Sequence, residues 1–548
     1  MVSGKARRHR DRSSEPGMTG ITKIETFIAS KDDFRVAPSG TLPTPWPFHQ
    51  RRPTEQASNV FNAVESQCQS IVKSYDIRAR RIDMHSIVQK DKEETRRDCL
   101  IVETKDQDVT SWSNAANELQ VLLTKTTLAP DTFKVEIRNP DLFYADRSSI
   151  LPDDDDLINC INAIEDQVLQ TALTQLGKNC ISIAYHSRQK RLAGSPRIPT
   201  VLVFVRPGTL AVWEVVEISL LKAIQGPDFP QITLSLEILV GKVQLGVDVN
   251  SAIQYLQLDS MKPFNGCSVG VAGRRPDSGS LGGWLKLVRK ETGEVFRGFL
   301  TCYHVIATGD KEQAAKNSYF GIGLVGEHSD LNPHIEVVWP SEHDREAWKS
   351  DIQTLIARGD ATNANRSTLA MLSHEDTMKP IGSVRFASGF EKQAESGARL
   401  DWAFVMSPET SLENHPPPPV YDSLKPSHIQ YVPTDRDLIK SFGRMKPGDW
   451  LVRRGRTSIE HGEVNRIHRQ VLWDDHPPSK EMEVLGFRDD FARPGDSGSW
   501  VVNAKLELVG MLIGMDSEGS SGNVGFVTPI HDIMDDIEKR TGCVVSLP

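Results

Sequence analysis

The chain has 548 residues, with 64 basic side chains against 73 acidic ones and a net charge of −9. That length exceeds one ordinary core and points to three or four domains, while the charge gives no global attraction to nucleic acid or to an anionic membrane. No apolar run approaches the roughly 20 residues that span a bilayer, and the first thirty residues lack the apolar core of a secretory signal.

Seven cysteines are scattered without C-x-x-C spacing, so neither a disulfide framework nor a zinc site is expected. An intracellular, cytoplasmic protein with reduced, buried thiols follows.

Residues 1–53 are rich in Ser, Arg and Pro and end in "TLPTPWPFHQRRP", which predicts a disordered basic and Pro-rich arm. Its basic cluster Lys5–Arg12 reads as a solvated tail, with a nuclear address as the alternative. Then "FNAVESQ", from Phe61, recurs 100 residues on as "INAIEDQ", from Ile161. His85-Ser86 recurs 101 residues on as His186-Ser187, Trp112 as Trp213, and Glu136-Ile137 as Glu237-Ile238. Repeats that keep their internal spacing mark a duplication.

Each copy reads as an amphipathic helix, a strand near the His, an apolar strand ("CLIVET", "TVLVFV"), a Trp-led helix and a last strand. Two αββαβ modules are therefore predicted, at 54–140 and 151–243. The run Asp153–Asp156 stands where the second module's first helix begins, and carboxylates there favour the positive end of the helix dipole, so it reads as a cap rather than a metal site. Neither paired His lies in a Gly-rich or acid-bearing context. The modules read as a scaffold, a protein-partner surface or a regulatory lid.

From about residue 260 to residue 548 short β-rich runs separated by Gly, Pro and Asp become the rule, the signature of an all-β sandwich or barrel pair. Three polar residues stand out. His304, in "FLTCYHVIA", ends an apolar run; Asp401, in "RLDWAFV", opens an apolar strand and needs a partner for its desolvated carboxylate; Ser497, in "ARPGDSGSWVV", sits in a Gly-rich turn. Together they supply a base, an orienter and a nucleophile, which the chemistry requires because a serine hydroxyl is too weak an acid to attack unaided. The backbone N–H groups of Gly495 and Ser497 would point at an oxyanion.

These motifs resemble a trypsin-like (chymotrypsin-fold) serine peptidase domain: "TCYHV" is similar to its base motif, "LDWAFV" to its acid motif and "GDSGS" to its nucleophile motif. The texture is closest to disulfide-poor bacterial-type members and to fungal proteins with long N-terminal extensions. The resemblance implies two packed six-stranded barrels and a C-terminal helix, with His304 as general base, Asp401 as orienter, Ser497 as acylating nucleophile and the Gly495 and Ser497 amides as oxyanion hole. It also places Phe491 at the floor of the substrate pocket and Ile513, Gly514 and Met515 on the strand that pairs with substrate backbone. Bulk from Phe491 and Met515 would favour a small or medium apolar residue at the cleavage site.

His304 and Asp401 are 97 residues apart, so an insertion is expected between them, and "SEHDREAWKSDIQTLIARGD" is its helix candidate. No "IVGG"-type activation segment precedes the barrels. No cofactor or metal is called for, and the partners expected are a peptide or protein substrate and a protein bound by the modules. A catalytically silent trypsin-fold binding or scaffold protein is the competing reading; an α/β-hydrolase would place its Ser first in sequence.

Overall fold

The computed structural model describes residues 20–38, 42, 44, 48–89, 92–126, 133–190, 194–225, 229–245, 262–274, 278–324, 334–373, 379–409, 413–418, 429–434, 436–474, 476–487, 490–516 and 524–548. They divide into two units, one up to Lys242 and one from Val243 onward. Among these residues no helix is long and apolar enough to cross a membrane.

In the first unit, helix Glu55–Ser74 starts at Thr54, whose side chain accepts the Ala57 N–H. Strands Ala79–Gln89 and Lys92–Thr104 form an antiparallel hairpin. Helix Trp112–Thr126 returns the chain to strand Phe133–Arg138, parallel to Lys92–Thr104. The order then repeats: helix Asp155–Leu176, antiparallel Cys180–Gln189 and Arg197–Val205, helix Trp213–Ile224, and Ser235–Val240 parallel to Arg197–Val205. Asp154 caps helix Asp155–Leu176 in the predicted manner for an acidic run, accepting the Leu157 N–H at 3.1 Å.

Trp112 and Trp213 each open a helix and are fully buried. Glu136 and Glu237 each sit on a closing strand and hold a buried arginine, Arg35 and Arg188 respectively.

The arm differs from its expectation. Its basic cluster lies outside the described residues, but described stretches of it, 20–38 and 48–53, are held by pairing and packing. Arg35–Val36 pairs with Ile137–Arg138, Phe48–Arg51 pairs with Ser86–Gln89, and Phe27 of helix Ile24–Ser30 stacks on Trp213. Partners distant in sequence supply the burial that the arm's own composition lacks.

In the second unit, six strands close a barrel in the order Trp450–Arg454, Ile459–Val464, Ser479–Gly486, Val524–Pro529, Glu507–Asp516 and Trp500–Asn503, the last pairing back to the first. Alternate residues fill its core, Leu451, Val464, Val484, Leu512 and Val527 among them. A second, partial barrel runs Ser268–Val271, Glu336–Val338, Gly382–Ala387, Ala403–Met406, Val295–Thr301 and Gly283–Arg289.

The predicted insertion helix spans Glu342–Arg358, capped by Ser341 and stopped by Gly359 at φ 80°. A second, unpredicted helix, Asn363–Leu372, follows behind a Thr362–Asn365 capping box and packs Leu372 against Trp348 and Ile352. Helix Ile530–Thr541 ends at left-handed Gly542. The segment Val243–Leu245, at the edge of the predicted second module, instead pairs antiparallel with Gly514–Asp516 in this unit.

Candidate active site

Strand Val295–Thr301 runs into a single helical turn, Tyr303–Ile306, which carries His304. Asp401 lies just before strand Ala403–Met406, antiparallel to it. Pairing of the two strands sets the side chains together: His304 Nδ1 is 2.5 Å from Asp401 Oδ2, and the His304 backbone N–H donates to Asp401 Oδ1 at 3.0 Å. The Tyr303 N–H donates to the Asp401 carbonyl at 3.1 Å. A carboxylate so held fixes the imidazole tautomer with the proton on Nδ1. Nε2 is then the free lone pair, and it is buried without a hydrogen-bond partner.

The segment before Asp401 is clamped on several sides. Arg399 donates from Nη1 to Phe390 O at 2.6 Å and from its backbone N–H to Glu481 Oε1 at 3.1 Å, Thr528 Oγ1 donates to Arg399 O, and Trp402 Nε1 donates to Asp536 of the C-terminal helix at 2.9 Å. Glu481 is fully buried, and desolvation pushes its carboxyl up to about 7.

Ser497 stands in a turn between Gly495 and Gly498, both at φ 91°. That conformation suits glycine, and each also lacks room for a side chain: a Cβ at Gly495 would meet Arg456 Nη1 at 2.2 Å, and one at Gly498 would meet Ser280 O at 2.3 Å. The N–H groups of Gly495 and Ser497 reach no acceptor among the described residues. The Ser497 hydroxyl donates to Ile513 O at 3.1 Å rather than to His304.

One carbonyl of the closed barrel also takes a group from the partial one. Leu512 O accepts the Gly498 N–H at 2.9 Å and the Cys302 thiol at 3.3 Å. Cys302 lies close to the pair as well: its Sγ, a His304 ring nitrogen and an Asp401 oxygen lie within 4.8 Å of one another, the one described group with metal-ligand potential. Burial, and then the Asp401 charge, hold the Cys302 thiol well above its ordinary range, which keeps it protonated.

Asp496 is anchored from inside the chain. Its carboxylate lies 2.7 Å from Arg453 Nη2 and accepts the Thr457 N–H and Oγ1–H, each at 2.8 Å, the Ser458 hydroxyl at 2.9 Å and the Arg493 N–H at 3.1 Å. The turn thus holds a buried cation, Arg453, against the carboxylate next to Ser497.

Arg456, against Gly495, is held by Asp344 of the insertion helix at 2.6 and 2.5 Å, with both side chains out of solvent contact. Sequence reasoning missed Arg453, Arg456 and Asp344. The only local trace is the pair of arginines flanking Gly455 in "RRGRTS".

Phe491 and Met515 are displaced from their expected role. Both are fully buried in the barrel core with Leu451, Val464 and Val527, because the Cα atoms of Gly462 and Gly525 leave space that the Phe491 ring fills. Of the predicted substrate strand, Ile513 offers its carbonyl to Ser497, and Gly514 and Met515 carry Val243–Leu245.

A closed six-stranded antiparallel barrel beside a partial one, with these residues at their junction, is similar to the architecture of a chymotrypsin-fold peptidase domain. Residues 437–546 match the family model of peptidase family S64. Among solved structures, Thermobifida fusca protease A is 13% identical, with 52% of this chain and 98% of that chain covered, at a TM-score of 0.28. A Cellulomonas bogoriensis chymotrypsin is 14% identical over 52% of this chain and 97% of its own, at 0.27.

Proposed function

We propose that the second unit is a serine-type endopeptidase acting through Ser497, His304 and Asp401. The observation that carries this reading is the Asp401 carboxylate holding His304 with both oxygens, one on Nδ1 and one on the backbone N–H, which leaves Nε2 buried and unpaired. In the reaction Nε2 takes the Ser497 hydroxyl proton as Oγ bonds to the scissile carbonyl carbon. The oxygen of that carbonyl becomes negative against the Gly495 and Ser497 N–H groups. The imidazolium then returns its proton to the leaving amine as the C–N bond breaks, and water repeats the sequence to release the acid.

The full chain also carries a brake. Val243–Leu245 pairs with Gly514–Asp516, the strand edge that an extended substrate would use, so substrate and chain compete for the same backbone groups. The modules before it then regulate the site or recruit a protein partner.

Labelling with a fluorophosphonate probe tests the reading. Wild type should label at Ser497, Ser497→Ala should not, and Leu245→Asp, which weakens the competing strand, should label several-fold faster. The bond from Ser497 to Ile513 O favours a second reading, a silent binding protein. Equal labelling of wild type, Leu245→Asp and Ser497→Ala would establish that one and refute the first.

A further inference from the structure

The strand edge beside Ser497 is asymmetric in its side chains. Leu245 lies opposite Gly514, Gln244 opposite Met515 and Val243 opposite Asp516. Residues directly opposite in an antiparallel pair share a face, so Leu245 and Val243 share the face to which a Gly514 side chain would point. That face is aromatic: a Cβ on Gly514 would come 3.3 Å from Trp473 Cη2 and 3.6 Å from Phe526 Cδ2. Trp473 is fixed in turn. Its Nε1 donates to Ser479 Oγ at 2.6 Å, and its ring meets Phe526 and Phe390 edge to face at 6.2 and 5.6 Å.

Gly514 itself has no room for a side chain on this face, since its Cβ would also stand 2.9 Å from Gln244 O. The bare glycine thus lets the Trp473 and Phe526 rings reach the strand, and the half-buried Leu245 opposite it marks the groove beside them. Gln244 takes the opposite face, where Met515 is already sealed in the barrel core, so its side chain meets no groove.

We propose that this groove selects extended peptides carrying a large aliphatic residue at the position opposite Gly514, and that Trp473 is the residue that sets the preference. The proposal rests on the serine peptidase reading for its catalytic consequence, but not for binding. Val243–Leu245 is an internal occupant of this kind, with its leucine opposite Gly514. A carboxylate opposite Gly514 would exchange water for the Trp473 and Phe526 rings, a desolvation without compensation. A leucine there gains the burial of its whole side chain.

Two measurements separate the proposal from the reading beneath it. The first is calorimetry on the full-length Ser497→Ala, Leu245→Asp protein with three synthetic peptides, acetyl-Lys-Val-Gln-Leu-amide and its versions with Asp for Leu and Asp for Gln. The Leu peptide and the version with Asp for Gln should bind within about threefold of each other, and the version with Asp for Leu at least tenfold more weakly. Adding Trp473→Ala should collapse the difference.

The second is fluorophosphonate labelling of the full chain. Leu245→Asp should accelerate it, and Gln244→Asp should leave it at the wild-type rate. Equal binding of all three peptides, or a preference that survives Trp473→Ala, overturns the proposal even if labelling succeeds. Absent labelling with intact peptide selectivity overturns the peptidase reading and leaves the groove standing.

Discussion

Replacing Arg453 with methionine tests whether the nucleophile turn is anchored from within. Arg453 and Asp496 are both fully buried, 2.7 Å apart, and the guanidinium also donates from Nη2 to Ser458 Oγ at 2.8 Å and from Nε to Phe491 O at 2.6 Å. Methionine keeps the aliphatic stem and removes the charge. Breaking a buried pair from one side costs about 3–5 kcal/mol, because the remaining charge has lost both water and partner. Asp496 retains two hydroxyl and two amide donors, which places the loss near the lower end, about 3 kcal/mol.

At roughly 2–4 °C per kcal/mol for a domain of this size, the second unit should melt on the order of 10 °C lower, followed by hydrogen exchange of the Trp500–Asn503 amides so that the first unit does not contribute. Labelling of Ser497 at 25 °C should fall at the same time, since Asp496 precedes the nucleophile. Adding Asp496→Asn removes the stranded charge and should restore at least half of the lost stability. If Arg453→Met melts within about 2 °C of wild type and labels at the wild-type rate, the internal anchor is not what holds the turn.

Three further outcomes follow from the site. Asp401→Asn leaves the geometry standing but supports the wrong imidazole tautomer, so acylation of Ser497 by a peptide ester should slow by about 10⁴-fold with the melting temperature nearly unchanged; a loss under tenfold speaks against the triad. Asp344→Asn loosens Arg456 behind Gly495, and it should lower kcat while leaving KM near wild type, whereas a KM effect alone would place Asp344 outside the oxyanion turn. Glu481, with its carboxyl pushed to about 7 against an ordinary 4.5, holds more protons folded than unfolded between those values. Its contribution is complete below pH 4.5 and drains away as pH rises through 7, on the order of 3 kcal/mol in all, so Glu481→Gln should flatten the fall in stability across that window; an unchanged pH profile in urea titrations removes Glu481 from the explanation.

The legible parts of this chain are those written as contiguous strings. "TCYHV", "LDWAFV" and "GDSGS" each carry one residue of the proposed triad with its local backbone, and the insertion helix announces itself through Ser341 and Gly359. What joins them is not contiguous. Asp344 meets Arg456 across 112 residues and Arg35 meets Glu136 across 101, and a single ion pair leaves no periodic trace in either segment. Counting six residues back from Ser497 locates Phe491 along the chain but not its direction, and direction was settled by the space left at Gly462 and Gly525. Strand Val243–Leu245 is three residues long and owes its conformation to its partner, so no propensity could reveal it.

The resting hydroxyl of Ser497 follows from the same strand. A β-bulge between Leu512 and Gly514 lets two successive carbonyls face the nucleophile turn, Leu512 O taking the Gly498 N–H and Ile513 O taking the Ser497 hydroxyl. A peptide seated as Val243–Leu245 is, with one residue opposite Gly514, brings its next residue opposite Ile513. That residue's N–H competes for Ile513 O, and in the proposed mechanism the displaced Ser497 hydroxyl turns to His304 Nε2, which is buried without a partner. Leaving such a nitrogen unmet costs about 1–3 kcal/mol, more than the roughly 0.5–1.5 kcal/mol of the bond given up, so substrate binding itself favours the assembled triad. A substrate whose N–H at that position is replaced by an ester oxygen cannot make the exchange. It should lose kcat by more than tenfold while KM changes by less than threefold, and an ester analogue turned over at the amide's rate would show that the serine needs no such release.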